Sequence, residues 1–162
     1  MRRARTSDVP AMKALVDIYA GAGRRMLAKE LVSLYEDVPD FWVAELDGAV
    51  VGCGAVHVLW ADLGEIRTVA VHPAHTRRGI GDALLAGLLE TARELGLSRL
   101  FALTFQIEFF ARHGFVEIDG TPVDADTYDA LRRSYDPGVA EFLALEYVKP
   151  NTLGNVRMLR TL

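Results

Sequence analysis

Thr76-Arg77-Arg78-Gly79-Ile80-Gly81-Asp82 lies between a stretch that reads as a strand and one that reads as a helix. Before it, Ile66, Val69 and Val71 have the spacing of a buried strand. After it, Leu84, Leu85, Leu88, Leu89, Ala92 and Leu95 recur at helical spacing. A helix that starts here presents unpaired backbone N–H groups and a partial positive charge at its N-terminus. Gly79 and Gly81 let an anion approach the backbone, and Arg77 and Arg78 add full charges. The stretch therefore reads as a phosphate cradle, with Ile80 and Asp82 in the first turn of its helix. The Gly-x-x-x-x-Gly-Lys-Ser/Thr spacing is absent, and Leu84 stands where a Gly-x-Gly-x-x-Gly fingerprint needs its third glycine. This points to the pyrophosphate of a cofactor other than the common nucleotides. The plainer alternative is a helix cap with solvated arginines.

Val69-Ala70-Val71-His72-Pro73 followed by Arg78-Gly79-Ile80-Gly81-Asp82-Ala83-Leu84-Leu85 resembles motif A of the GNAT superfamily of acetyl-CoA-dependent N-acetyltransferases. The resemblance implies that the loop from Arg77 to Asp82 holds the pyrophosphate of acetyl-CoA, a co-substrate. It also implies that the backbone of Val69, Ala70 and Val71 pairs with the pantetheine arm. Thr76 departs from the Gln/Arg that opens the family pattern, while Arg77 and Arg78 keep the charge. A mixed α+β fold is implied, with a mixed central sheet flanked by helices.

The same architecture follows from the order of elements. Arg2 to Arg5 reads as a short strand, with Thr6 or Ser7 capping a helix whose face is Met12, Leu15, Val16 and Tyr19. Gly21 and Gly23 end that helix, and a second passes through Leu31, Leu34 and Tyr35. Phe41–Leu46 and Val50–Leu59 form a hairpin about Asp47-Gly48, a pair that favours positive φ. Gly52 and Gly54 within the second strand predict close backbone approach or a bulge. His57 on that strand reads as a hydrogen-bonded edge or core residue. Strands over Leu63–Val71 and Leu100–Leu103, a helical turn with Phe109, Phe110 and His113 closed by Gly114, and an extended path from Phe115 follow. Asp124, Asp126 and Asp129 read as the solvated face of a helix, since the glycine and glutamate of a calcium loop are missing. The apolar run from Val139 to Val148 predicts a long strand, 149–155 a turn, and Val156–Leu159 a last strand. Hairpins combined with one strand-helix-strand crossover give a mixed sheet. The chain, 1–162, is expected to form a single N-acetyltransferase domain.

With 162 residues, 51% hydrophobic and 25% charged, the chain has the composition of a globular domain. A net charge of -4 argues against a nucleic-acid partner and suits a small molecule. The single cysteine, Cys53, excludes an intrachain disulfide, and its place between glycines in a strand marks it as inert rather than nucleophilic. No run of about 18 apolar residues is present, and Thr6-Ser7-Asp8 interrupts the start, so a cytoplasmic protein without a membrane partner is expected. His72, His75 and His113 make no convincing ligand set, so no metal is expected. Apolar segments near the C-terminus make a homodimer an open expectation.

Acyl transfer to an amine needs a base for the ammonium and a donor for the developing oxyanion. Glu65, on the strand that leads to Val69 and Val71, is placed for the base; pairing with Arg67 is the plainer alternative. A second, narrower resemblance bears on this point. Met26–Leu31, Glu65–Pro73 and Phe101–Phe115 together are similar to the N-acetylglutamate synthases in their short, single-domain form. That resemblance implies Glu65 as general base toward the α-amine of L-glutamate, with L-glutamine as a second acceptor, and a place in arginine biosynthesis. It implies that Lys29, at a position usually filled by arginine, binds a substrate carboxylate. Arg24, Arg25 and Arg67 are further candidates, the first two in the Arg24–Lys29 segment, which carries three cations. Phe110 stands where many GNAT enzymes carry the tyrosine that protonates the leaving thiolate, which leaves Gln106, Thr104 or water for that step. The rival expectations are an acetyltransferase for another amine and a catalytically silent acetyl-CoA-binding module.

Overall fold

A computed structural model describes residues 1–21, 26, 28–148 and 154–162. Among these, seven strands form one sheet in the order β1-β2-β3-β4-β5-β7-β6. In chain order they are β1 (Arg2–Arg3), β2 (Phe41–Leu46), β3 (Ala49–Val58), β4 (Leu63–Val71), β5 (Arg99–Thr104), β6 (Val116–Glu117) and β7 (Val156–Thr161). The helices are α1 (Val9–Gly21), α2 (Leu31–Glu36), α3 (Ile80–Glu94), α4 (Ile107–Arg112), α5 (Ala125–Leu131) and α6 (Pro137–Phe142). β4 and β5 run parallel, as the α3 crossover between them requires, whereas β1–β2, β2–β3, β5–β7 and β6–β7 are antiparallel. The sheet is mixed and the class α+β, as expected.

The chain divides into two compact units, one of residues 1–57 and 66–96, the other of 58–65 and 97–162. In the first, the Asp47-Gly48 turn has both residues at positive φ, 50° and 78°, and closes the β2–β3 hairpin. Met12, Leu15 and Val16 of α1 are buried, the first two packing with Leu34, Phe41, Val43, Cys53 and Ala70, with Tyr19 at the margin. The glycines of β3 are there for space. A Cβ on Gly52 would lie 3.1 Å from Leu84, 3.2 Å from the Ala70 carbonyl and 3.2 Å from Ile80, so α3 packs directly on bare backbone. The start of α1 differs from the expectation of a Thr6 or Ser7 cap. Thr6–Asp8 forms a 3-10 turn, and the Asp8 carboxylate accepts the Arg5 N–H at 2.7 Å. A carboxylate that also pairs with Arg2 at 2.7 Å outcompetes either neutral hydroxyl for this position.

In the second unit, Leu59, Leu63, Phe101, Leu131, Val139, Phe142 and Leu143 form the core. The strand expected over Val139–Val148 does not exist. Instead Pro137–Phe142 is helical, Ala144 turns the chain at φ 54°, and Glu146–Val148 is a 3-10 turn. Asp136 caps the helix by accepting the Val139 N–H at 2.9 Å, and Pro137 occupies its first turn. The buried residues Val139, Ala140, Phe142 and Leu143 have helical spacing, which decides the outcome over apolar content. The last strand, β7, inserts between β5 and β6, with Phe101 opposite Leu159 and Val116 opposite Leu159 on its other side. Most of the turn expected over 149–155 lies outside the described residues.

Candidate active site

The first unit carries the anion loop. From β4 the chain passes through His72 and the 3-10 turn Pro73–His75, which is closed by Thr76 Oγ1 donating to the Pro73 carbonyl at 3.0 Å. Arg77 and Gly79 both have positive φ, 59° and 74°, so the chain reverses sharply into α3. Gly79 is the N-cap, and no side chain caps the helix. A Cβ on Gly79 would meet nothing within 4 Å, so the space beside the N-terminus of this 15-residue helix is open at the glycine. Arg77 and Arg78 are exposed beside them, and Arg78 donates to His75 Nδ1 at 3.1 Å. Asp82 stands in the first turn, where a carboxylate suits the helix dipole. The loop therefore fits a pyrophosphate: the N-terminal dipole of a long helix, two glycines and two exposed cations lie within one sharp turn.

β4 itself is irregular. Thr68 sits at φ 57°, uncommon for any side chain and more so for a β-branched one, and this breaks the strand's alternation. Val69 and Val71 are half-buried on either side of buried Ala70. Cys53 is buried in β3, its sulfur 3.8 Å from the Thr68 carbonyl, and burial pushes its thiol up to about 12. It is not a nucleophile at neutral pH.

The second unit carries Glu65, 5% exposed and opposite Phe101 in the β4–β5 ladder. Registered neighbours share a sheet face, so Glu65, Phe101 and, on β7, Leu159 and Arg157 line up on one side. The Arg157 guanidinium lies 4.8 Å over the Phe101 ring. Burial pushes Arg157 down from its usual range, and the negative charge of Glu65 opposes that shift. Arg157 also donates to the carbonyls of Gly120 (2.8 Å), Glu141 (3.4 Å) and Phe142.

Of the residues singled out for an acceptor, Lys29 is tied to Asp37, Nζ to Oδ2 at 2.8 Å, with its side chain 13% exposed. Arg67 is buried in β4, two positions after Glu65. Arg25, with Arg24, lies outside the described residues. Phe110 is buried and edge-on to Phe109 and Phe115, at 5.2 and 5.1 Å between ring centres, so its site is aromatic and apolar. Thr104 Oγ1 accepts the Gln106 N–H at 2.8 Å and so is already engaged in shaping that loop. His57 pairs with Asp40 at 3.1 Å, in keeping with a hydrogen-bonded strand residue. Among the described residues, no group of three or more His, Cys, Asp or Glu side chains is placed to hold a metal ion. None of their helices is long and apolar enough to cross a membrane.

Two features escaped the sequence. Arg157 gave no signal, because its carbonyl partners are Gly120, 37 positions away, and Glu141 and Phe142, which lie in a stretch whose apolar content predicts a strand. Tyr19 was legible as a helix-face residue, but its hydroxyl donates to the Val71 carbonyl on β4, a contact across 52 positions that no local pattern encodes.

Comparison with known proteins bears on the whole chain. The Acetyltransferase (GNAT) family matches residues 12–115. An amino-acid acetyltransferase of Mycobacterium tuberculosis is 66% identical, covering 100% of this chain and 94% of the relative. The crystal structure of Rv2747 from Mycobacterium tuberculosis in complex with CoA and NLQ superimposes with a TM-score of 0.96 at 66% identity, covering 99% and 98% of the two chains. N-acetylglutamate synthase from Neisseria gonorrhoeae, complexed with coenzyme A and N-acetyl-glutamate, gives a TM-score of 0.78 at 28% identity, over 99% of this chain and 34% of that longer one. The uncapped glycine turn into α3, the irregular strand before it and these likenesses agree: the chain belongs to the GNAT acetyltransferase family.

Proposed function

We propose that this protein transfers the acetyl group of acetyl-CoA to the α-amine of an amino acid, L-glutamate first and L-glutamine second, giving N-acetyl-L-glutamate for arginine biosynthesis. The observation that carries the reading is a buried carboxylate, Glu65, on the same strand that leads into the pyrophosphate loop. The complexes of the relatives from Mycobacterium tuberculosis and Neisseria gonorrhoeae support the cofactor and the acceptor class. The family match, which runs through both compact units, supports one N-acetyltransferase domain over 1–162.

In this reading, the N–H groups after Gly79, with Arg77 and Arg78, hold the pyrophosphate, and the backbone of Val69, Ala70 and Val71 receives the pantetheine arm. Glu65 takes the proton from the substrate ammonium, directly or through water. The freed lone pair attacks the thioester carbonyl, the C–N bond forms, and the C–S bond breaks as the thiolate leaves and takes up a proton. No covalent enzyme intermediate is involved, in keeping with a thiol as deeply buried as Cys53. An ammonium has three donors, and Asp37 engages Lys29 through Oδ2, so Lys29 keeps donors for a substrate carboxylate while Asp37 fixes its direction. Arg67 and Arg25 are the other candidates for the acceptor's charge.

The test is release of free coenzyme A from acetyl-CoA with each common amino acid in turn. Turnover confined to glutamate and glutamine is expected. Turnover only with other amines removes the acceptor assignment, and acetyl-CoA binding with no turnover on any acceptor removes the enzyme assignment.

A further inference from the structure

The Tyr19 contact bears directly on how an extended ligand docks on β4. N–H and carbonyl of one strand residue point to the same edge, and successive residues alternate between edges. Ala70 and His72 face β3: the Ala70 carbonyl lies 3.2 Å from where a Gly52 Cβ would stand, and the His72 N–H donates to the Val51 carbonyl at 2.8 Å. Val69 and Val71 therefore face the other edge. The rungs from β4 to β5 end at Glu65, six positions before Val71. On that outer edge the Tyr19 hydroxyl donates to the Val71 carbonyl. Burial pushes the phenol up from its ordinary range, so it remains a donor across physiological pH.

We propose that Tyr19 is a positioning residue for the cofactor arm, setting the register in which it pairs with β4. This rests on the acetyl-CoA reading given above. An amide-bearing arm laid along the outer edge would find the Val71 N–H and both polar groups of Val69, but a Val71 carbonyl already engaged by the phenol. With one of that carbonyl's two acceptor sites engaged, a slipped register that relies on it is disfavoured. The same bond fixes the end of α1 to the strand, only five positions before Thr76, where the chain turns toward α3.

The experiment compares two ligands on wild type and Tyr19→Phe by calorimetry: acetyl-CoA, and 3′-phosphoadenosine 5′-diphosphate, which has the phosphates but no arm. The phenylalanine keeps the ring and its packing, and urea denaturation of the variant checks the fold. Tyr19→Phe is expected to raise the dissociation constant for acetyl-CoA about three- to tenfold, because the Val71 peptide is no longer held where the arm pairs with the strand, and to leave the armless ligand unchanged. An acetyl-CoA affinity that is unchanged or improved overturns the proposal. Equal weakening of both ligands overturns it too, because the role is then structural. If wild-type protein binds neither ligand, the acetyl-CoA reading itself has failed, an outcome visible before any variant is made.

Discussion

The Arg157 guanidinium stacks 4.8 Å over the Phe101 ring, and its N–H groups reach the Gly120, Glu141 and Phe142 carbonyls. Through Glu141 and Phe142, one side chain thus ties β7 to the C-terminal end of α6, where the dipole is negative. Arg157→Met removes these donors and leaves Glu141 with the Ala144 N–H and Phe142 with the Thr121 hydroxyl. The expected loss is about 2 to 4 kcal/mol, read as a lower urea midpoint. Arg157→Lys keeps the charge without the planar fork and should fall between the two. A methionine variant within about 0.5 kcal/mol of wild type would remove the clamp from the account.

Arg157 also shows what local pattern leaves out. The sharp turn from β4 into α3 was legible because glycine, arginine and a change from strand to helix spacing occur within a few residues, and each has a local physical meaning. Glu65 was legible by its place on the strand before that loop. Val139 to Val148 misled because its apolar content masked the Asp136-Pro137 start signal, which the structure uses as a cap and first turn. Thr68 at φ 57° gave no sign, since a β-branched residue in a strand pattern predicts regular strand. The partners of Tyr19 and Lys29 depend on packing between segments: Val71 lies 52 positions from Tyr19 and Asp37 lies 8 from Lys29.

The Asp8 carboxylate is 7% exposed, accepts from Arg2 and caps the Arg5 N–H, and the arginine holds it below its ordinary 3.8. A folded-state value lowered in this way means that the stabilisation is fully present above the unfolded value and is lost as pH falls through the folded one. Asp8→Asn is therefore expected to cost about 1 to 2 kcal/mol near pH 7, through the weakened cap and lost pairing. The gap to wild type should close as pH drops below 3.8, where wild type also becomes protonated. Denaturant midpoints at pH 7, 5 and 3 check this; a gap that is constant with pH would mean that the charge plays no part.

Gly52 of β3 is a packing constraint. The added methyl of Gly52→Ala would meet Leu84 at 3.1 Å, the Ala70 carbonyl at 3.2 Å and Ile80 at 3.2 Å. The ends of Leu84 and Ile80 can rotate away but the Ala70 carbonyl within β4 cannot, so β3 and β4 must part slightly and the α3 side chains must repack. The expected cost is about 1 to 3 kcal/mol in chemical denaturation. Weaker acetyl-CoA binding should accompany it, because Ile80 opens the helix that follows Gly79. A variant as stable as wild type would show that the α3 contact has slack.

Glu65→Gln separates the base from the cofactor site. The amide has nearly the same shape and cannot take a proton from an ammonium, so kcat should fall about 100- to 1,000-fold. The acetyl-CoA dissociation constant should stay within about twofold, since the pyrophosphate loop and the Val69–Val71 backbone are untouched. High pH supplies deprotonated amine without help, so the variant should recover part of its activity as the pH approaches the pKa of the substrate amine. A variant with wild-type kcat at neutral pH would take the base away from Glu65. Equal losses of turnover and acetyl-CoA binding would mean that the carboxylate holds the strand in shape rather than moving a proton.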